Sequence, residues 1–198
     1  MHALFNMYAE VSLNVGRVIS QLDLTSAELE QKLRKVFNFI TGVGDSPLIP
    51  SPLKDTQLHL LLELGALCAE HCLNRLAQEC VLAVSTVSIS HDPRLLLRRE
   101  GLICQLSAQD LDETKEAHSH SIVEVRLNAI SKITDLLSVA KRIQDSDLIQ
   151  YMCVLLWNLS LPLLQRKLRQ QLLKSFNEAA NVLEEINRYY QLVCFRFP

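Results

Sequence analysis

The chain has 198 residues, enough for one or two domains with a sizeable buried core. Hydrophobic residues make up 48% and charged residues 21%, which excludes a chain disordered throughout. Five glycines and six prolines are too few for the many turns of a barrel or sandwich, and a net charge of −2 argues against a generic nucleic-acid binder.

Residues 2–20 place Leu4, Tyr8, Val11, Val15, Val18 and Ile19 near one face, the spacing of a helix. Thr25 with Glu28 reads as a capping box, with Ser26 as the alternative cap. A second helix then runs to about 41 on a stripe of Leu29, Leu33, Val36, Phe37 and Ile40, and Gly42 ends it. The segment 42–54 holds two glycines, three prolines and two serines with little periodicity, and reads as an exposed, flexible linker. Ser46-Pro47 and Ser51-Pro52 within it are candidate proline-directed phosphorylation sites. The domain organisation expected is thus a helical pair over 1–41, the linker 42–54, and a helical-repeat section over 55–198 that can pack as one array with the first pair.

Asp55 or Thr56 is the expected cap of a third helix to about 72, and a fourth spans about 74–87. Leu61, Leu64, Gly65 and Cys68, followed by Ala77, Val81 and Val84, fit a degenerate tetratricopeptide pattern. Gly65 and Ala77 fill its small-residue slots, which let paired helices approach closely. Asp92-Pro93 restarts the chain into a helix over about 93–107, and 108–120 is polar and acidic, an exposed helical turn or a loop. From Ile122 an apolar residue recurs every three or four positions through Val125, Ala129, Ile133, Leu136, Ala140 and Ile143. Gln144-Asp145-Ser146 supplies a turn and a cap. The next helix, about 147–159, is apolar almost all round, so it should be buried on most sides. Trp157, the only tryptophan, is expected in that core, the alternative being that it faces a neighbour outside the chain. Ser160 is the expected cap of a last helix with Pro162 in its first turn, spanning roughly 45 Å at a 1.5 Å rise. Long helices joined by short turns point to an all-α fold, with antiparallel helix pairs stacked as a section of a helical-repeat solenoid.

Nothing in the sequence carries recognisable chemistry. No basic n-region or cleavage site opens the chain, and six cysteines on mostly apolar faces read as reduced, buried residues of an intracellular protein. Cys68, His71 and Cys72 have no second ligand pair to complete a zinc site. Gly42-Val-Gly44 lacks the rest of a phosphate loop, and neither a Gly-x-Ser-x-Gly elbow nor a His-Glu-x-x-His pair occurs. The 151–164 run is too short to span a membrane. No catalytic residue, cofactor or metal is therefore expected. The best functional candidate is the stretch 163–177, where Arg166, Lys167, Arg169 and Lys174 accompany Leu164, Leu168, Leu172 and Phe176. A basic amphipathic helix of this kind recruits calmodulin or another acidic partner, whereas the bland reading is a core-facing leucine stripe with a solvated basic face.

The string Trp157-Asn158-Leu-Ser-Leu161-Pro162-Leu163-Leu164-Gln165, with Leu168-Arg169 and Val182-Leu183-Glu184 after it, resembles the cilia- and flagella-associated protein forty-six family. These are large tetratricopeptide-type proteins of the axonemal central apparatus. The resemblance is best over 120–194 and vaguer over 55–107. It implies a noncatalytic scaffold of the motile cilium whose partners are other central-apparatus proteins, located in the cytoplasm, cytoskeleton and axoneme, with no nucleic acid or membrane bound. This chain is far shorter than the family's proteins and reads as a section of a longer array. Trp157, Asn158, Leu161, Pro162 and Leu164 are the residues expected to form the core signature.

Overall fold

A computed structural model describes residues 26–42, 51–86, 92–112 and 120–196 of the chain. They form seven α-helices and, among the described residues, no strand: α1 (Ser26–Gly42), α2 (Ser51–Glu70), α3 (Asn74–Thr86), α4 (Pro93–Asp112), α5 (His120–Ile143), α6 (Ser146–Ser160) and α7 (Arg169–Arg196). A single 3-10 turn, Leu161–Leu163, follows α6. The protein is all-helical with packed helix pairs, as composition and periodicity lead one to expect. The helix expected over 2–20, the Thr25 cap and Ser46 lie outside the described residues. Two compact units divide the chain between Leu102 and Ile103, inside α4.

In the first unit, α1 packs on α2 and α3, and α2 packs along α3. α2 starts at Ser51, earlier than the expected cap at Asp55 or Thr56, so the last part of the expected linker is helix. Pro52 in its first turn is compatible with this, because the first N–H groups of a helix have no partner within it. α2 is the most buried helix of the unit: Leu58, Leu60, Leu61, Leu62, Leu64, Cys68 and Ala69 are all inside. Gln57 is buried with them and donates through Nε2 to the Ile40 carbonyl at 2.9 Å, in the last turn of α1. Arg34 of α1 grips Glu79 of α3 through both guanidinium nitrogens, at 2.9 and 3.2 Å. Such a two-toothed contact fixes direction better than a point charge does, although its partial exposure limits its worth.

Helices α2 and α3 meet at Gly65. A methyl group there would stand 2.8 Å from Leu102 Cδ2 of α4, 3.2 Å from Cys80 Cβ and 3.7 Å from the Ala77 carbonyl. Ala77 and Cys80 are fully buried. The two small-residue positions singled out by spacing therefore meet in space, and the backbone approach they permit is real. The turn back is a Schellman ending: Leu73 N–H reaches the Cys68 carbonyl at 2.8 Å and Cys72 N–H the Ala69 carbonyl at 3.2 Å. Cys72 occupies the left-handed position usually given to glycine, at φ 57°.

In the second unit, α5 packs on both α6 and α7, and α6 packs on α7. The buried stripe of α5 runs through Ile122, Ala129, Ile130, Ile133, Leu137 and Ala140. Val125, expected on that stripe, is instead partly exposed, and Arg126 takes the inward place beside it. Its guanidinium donates to the Ala108 carbonyl near the end of α4, where carbonyl groups concentrate negative potential. The link from α5 to α6 is tight. Gln144 sits at φ 58° and its N–H bonds the Lys141 carbonyl at 3.1 Å. Asp145 then caps α6, its side chain accepting from Leu148 N–H at 3.0 Å. Leu148, Ile149, Met152, Leu155, Leu156 and Leu159 of α6 form the middle of this core, with Leu172, Ala179 and Val182 from α7.

The close approach at Gly65 gives a direct test by urea unfolding. Gly65→Leu should lose about 3 kcal/mol of stability, because leucine has to displace both Leu102 and Cys80. Gly42→Ala should lose nothing, since no atom lies within 4 Å of the added methyl.

Candidate docking face around Trp157

The segment after α6 departs from expectation because of one missing donor. Leu161 N–H still bonds the Trp157 carbonyl in the α-helical pattern. Pro162 has no N–H, so the next bond of the ladder cannot form, and the chain tightens into a 3-10 turn closed by Leu164 N–H to the Leu161 carbonyl at 3.3 Å. A further turn follows, with Leu168 and Arg169 N–H both on the Gln165 carbonyl at 2.9 and 3.0 Å, and only then does α7 begin at Arg169. Two expectations are corrected here. Ser160 caps no helix: it is helical and buried, and its hydroxyl donates back to the Leu156 carbonyl at 2.7 Å. The stretch 163–177 is not one basic helix but a turn followed by the start of α7.

The position of Trp157 is also corrected. α6 is apolar almost all round, so its sequence does not say which side faces inward. Packing against α5 and α7 buries the side bearing Leu148, Met152, Leu155, Leu156 and Leu159, and the turn adds Leu163. Trp157, about 100° round the helix from Leu156, is left 53% exposed. Leu161 (48%) and Leu164 (42%) are exposed too, as are Asn158 and Pro162. The five residues expected to form the core signature are therefore surface residues.

They make a coherent face. Val154, Trp157 and Leu161 recur three and four positions apart, so they share one side of α6 and its continuation, and all three are exposed. Trp157 leans on Phe176 of α7, ring centroids 6.0 Å apart and planes tilted by 43°. Leu173, one turn before Phe176, is 62% exposed. Arg166, Lys167, Arg169 and Lys174 are all exposed and make no ion pair with any described residue. Between Asp147 and Glu178 the chain carries no carboxylate at all, so this part is positive in a chain of net charge −2. Sequence reasoning singled out the four cations but missed Val154 and Leu173. The long interval without acid was the available signal. The leucine stripe of the same stretch splits: Leu172 is fully buried, Leu168 half-buried and Leu164 exposed.

Between α5 and α7 several polar groups pair with one another. An open groove of about 710 Å³ lies between the end of α5 and the middle of α7. Lys141 pairs with Glu185 at 2.7 Å across it, the Ser138 hydroxyl donates to Glu178, and Arg188 pairs with Glu184 at 3.3 Å. Cys68 is buried in α2 whereas Cys72, expected to be buried, is exposed at the turn, and among the described residues no three His, Cys, Asp or Glu side chains gather as metal ligands. Cys68 and Cys80 instead meet between α2 and α3, and their hydrogen bond, together with burial, pushes the Cys80 thiol well above its ordinary range. Burial raises the Cys153 thiol as well. No described helix is long and apolar enough to cross a membrane. No protein-family model matches the chain.

Two measurements follow from this geometry. Leu156→Ala should destabilise by about 2–5 kcal/mol, as a fully buried leucine does, whereas Trp157→Ala should cost only about 1 kcal/mol in the same unfolding assay. Titration of the native chain near pH 8 with an aromatic disulfide reagent should modify Cys72 before Cys68, Cys80, Cys104 and Cys153. Cys80 should stay protonated and unreactive until the chain unfolds, because only the thiolate attacks and its raised pKa removes it. Rapid native-state labelling of Cys80 would contradict the packing of α2 on α3.

Proposed function

We propose that this chain is a noncatalytic scaffold section of the motile-cilium axoneme, in the central apparatus, where its helix pairs stack in a tetratricopeptide-like array and bind neighbouring proteins. The observation that carries the assembly role is the apolar face of Val154, Trp157, Leu161, Leu164 and Leu173, left exposed by a unit whose core is otherwise well filled. Exposed apolar clusters of this kind belong to interaction surfaces. The resemblance of the 157–165 string to the cilia- and flagella-associated protein forty-six family supports the ciliary setting. The meeting of Gly65 with Ala77 and Cys80 supports the repeat-type pairing of α2 and α3.

A second reading, recruitment of calmodulin or another acidic partner through 163–177, draws support from four cations that pair with no described residue, Arg166, Lys167, Arg169 and Lys174. A partner that wraps a whole helix is disfavoured by Leu172, which is fully buried in the core and cannot be offered without opening the unit. A partner lying on the surface needs no such opening.

The test is location. The tagged full chain, expressed in motile ciliated cells, should be found along the central microtubule pair of the axoneme, and its loss should disturb beating. Absence from the axoneme together with normal beating after its loss would remove the ciliary role.

A further inference from the structure

We propose that the occupant of the Trp157 face is an acidic amphipathic helix of another protein, seated on Val154, Trp157, Leu161 and Leu164 with its carboxylates on Arg166, Lys167, Arg169 and Lys174. This rests on the reading of that face as an assembly surface, and it names what the surface takes.

The geometry points to a helix as ligand. Val154, Trp157 and Leu161 project from one side of α6 and its continuation over roughly 10 Å, at 1.5 Å per residue. A partner helix offering apolar residues at i, i+3, i+4 and i+7 matches such a row. Trp157 has the makings of the anchor. It is large, half-exposed and held from behind by Phe176, so little rotamer freedom remains to be lost on binding.

The charge points to the sign of the partner. Several cations elsewhere are held by carboxylates: Arg34 by Glu79, Arg98 by Glu63, Lys141 by Glu185 and Arg188 by Glu184. The four around this face are not paired with any described residue, and no carboxylate occurs from residue 148 to residue 177 to screen them. Cations on the rim of an apolar patch repel basic partners and speed encounter with acidic ones. A second copy of the same face would bring these cations against one another, which disfavours self-association there.

The single tryptophan makes the proposal readable by fluorescence. The full chain is used to select from a display library of short amphipathic helices whose polar positions are randomised among glutamate, lysine and glutamine. Selected peptides should be rich in glutamate, shift Trp157 emission to the blue, and bind more weakly as salt is raised. The combined variant Arg166→Glu, Lys167→Glu and Arg169→Glu alters only exposed side chains that pair with no described residue. It should retain the helical circular-dichroism spectrum and melting temperature while losing about tenfold or more in affinity. Leu161→Asp should lose binding likewise. Selection without preference for glutamate, or binding that leaves Trp157 emission or the variants' affinity unchanged, would overturn the proposal. So would concentration-dependent self-association that buries Trp157, or a blue shift given by phosphatidylserine vesicles and by no acidic peptide. None of these results depends on where the protein resides in a cell, so the docking proposal and the ciliary role fail separately.

Discussion

Pro162 lacks the N–H that an α-helix requires at its position, and the second unit is arranged around that absence. Without it, α6 and α7 would be candidates for one continuous rod. With it, the ladder breaks after Leu161, the chain tightens through Leu164 and Gln165, and α7 sets off anew to pack on α5 and α6. The break also decides exposure. It turns Leu163 inward as the last buried residue of the run and leaves Leu161 and Leu164 on the outside. The cations that would have ridden on one long helix fall instead on a turn and the first residues of α7, beside the apolar face.

A similar economy governs the first unit. Gly65 has no side chain, so Cys80, the Ala77 carbonyl and the tip of Leu102 all close on it. The buried thiols Cys68 and Cys80 fill the space next to that contact, and the hydrogen bond to Cys68, together with burial, raises the Cys80 thiol and keeps it protonated. The buried side-chain amide of Gln57 is satisfied by a carbonyl from the end of α1. Helix ends inside the unit are thereby supplied with partners, and Cys72 tolerates a left-handed backbone so that α3 can return along α2.

A unit assembled this way separates core residues from surface residues that stand next to them in sequence. Leu172, Leu156 and Leu159 belong to the core, while Trp157, Leu161 and Leu164, only a residue or two away in sequence from buried neighbours, belong to the outside. Replacing the outer set leaves the buried leucines of the core untouched. The rim cations are equally free of structural duty, since no described carboxylate depends on them.

Composition and periodicity determined the helical class, the existence and type of the described helices, the turn and Asp145 cap between α5 and α6, and the small-residue contact of Gly65. These are local properties: a three-to-four-residue spacing, a short polar residue before an apolar run, or a glycine opposite an alanine carries its meaning within one or two helices. The burial of Arg126, the early start of α2 and above all the outward side of α6 were not determined that way. A helix that is apolar all round has no preferred face until its neighbours arrive, and the neighbours of α6 are two other helices, α5 and α7, whose packing its own periodicity does not encode. Tertiary packing alone put Leu156 inside and Trp157 outside, and so turned an apparent core signature into a surface.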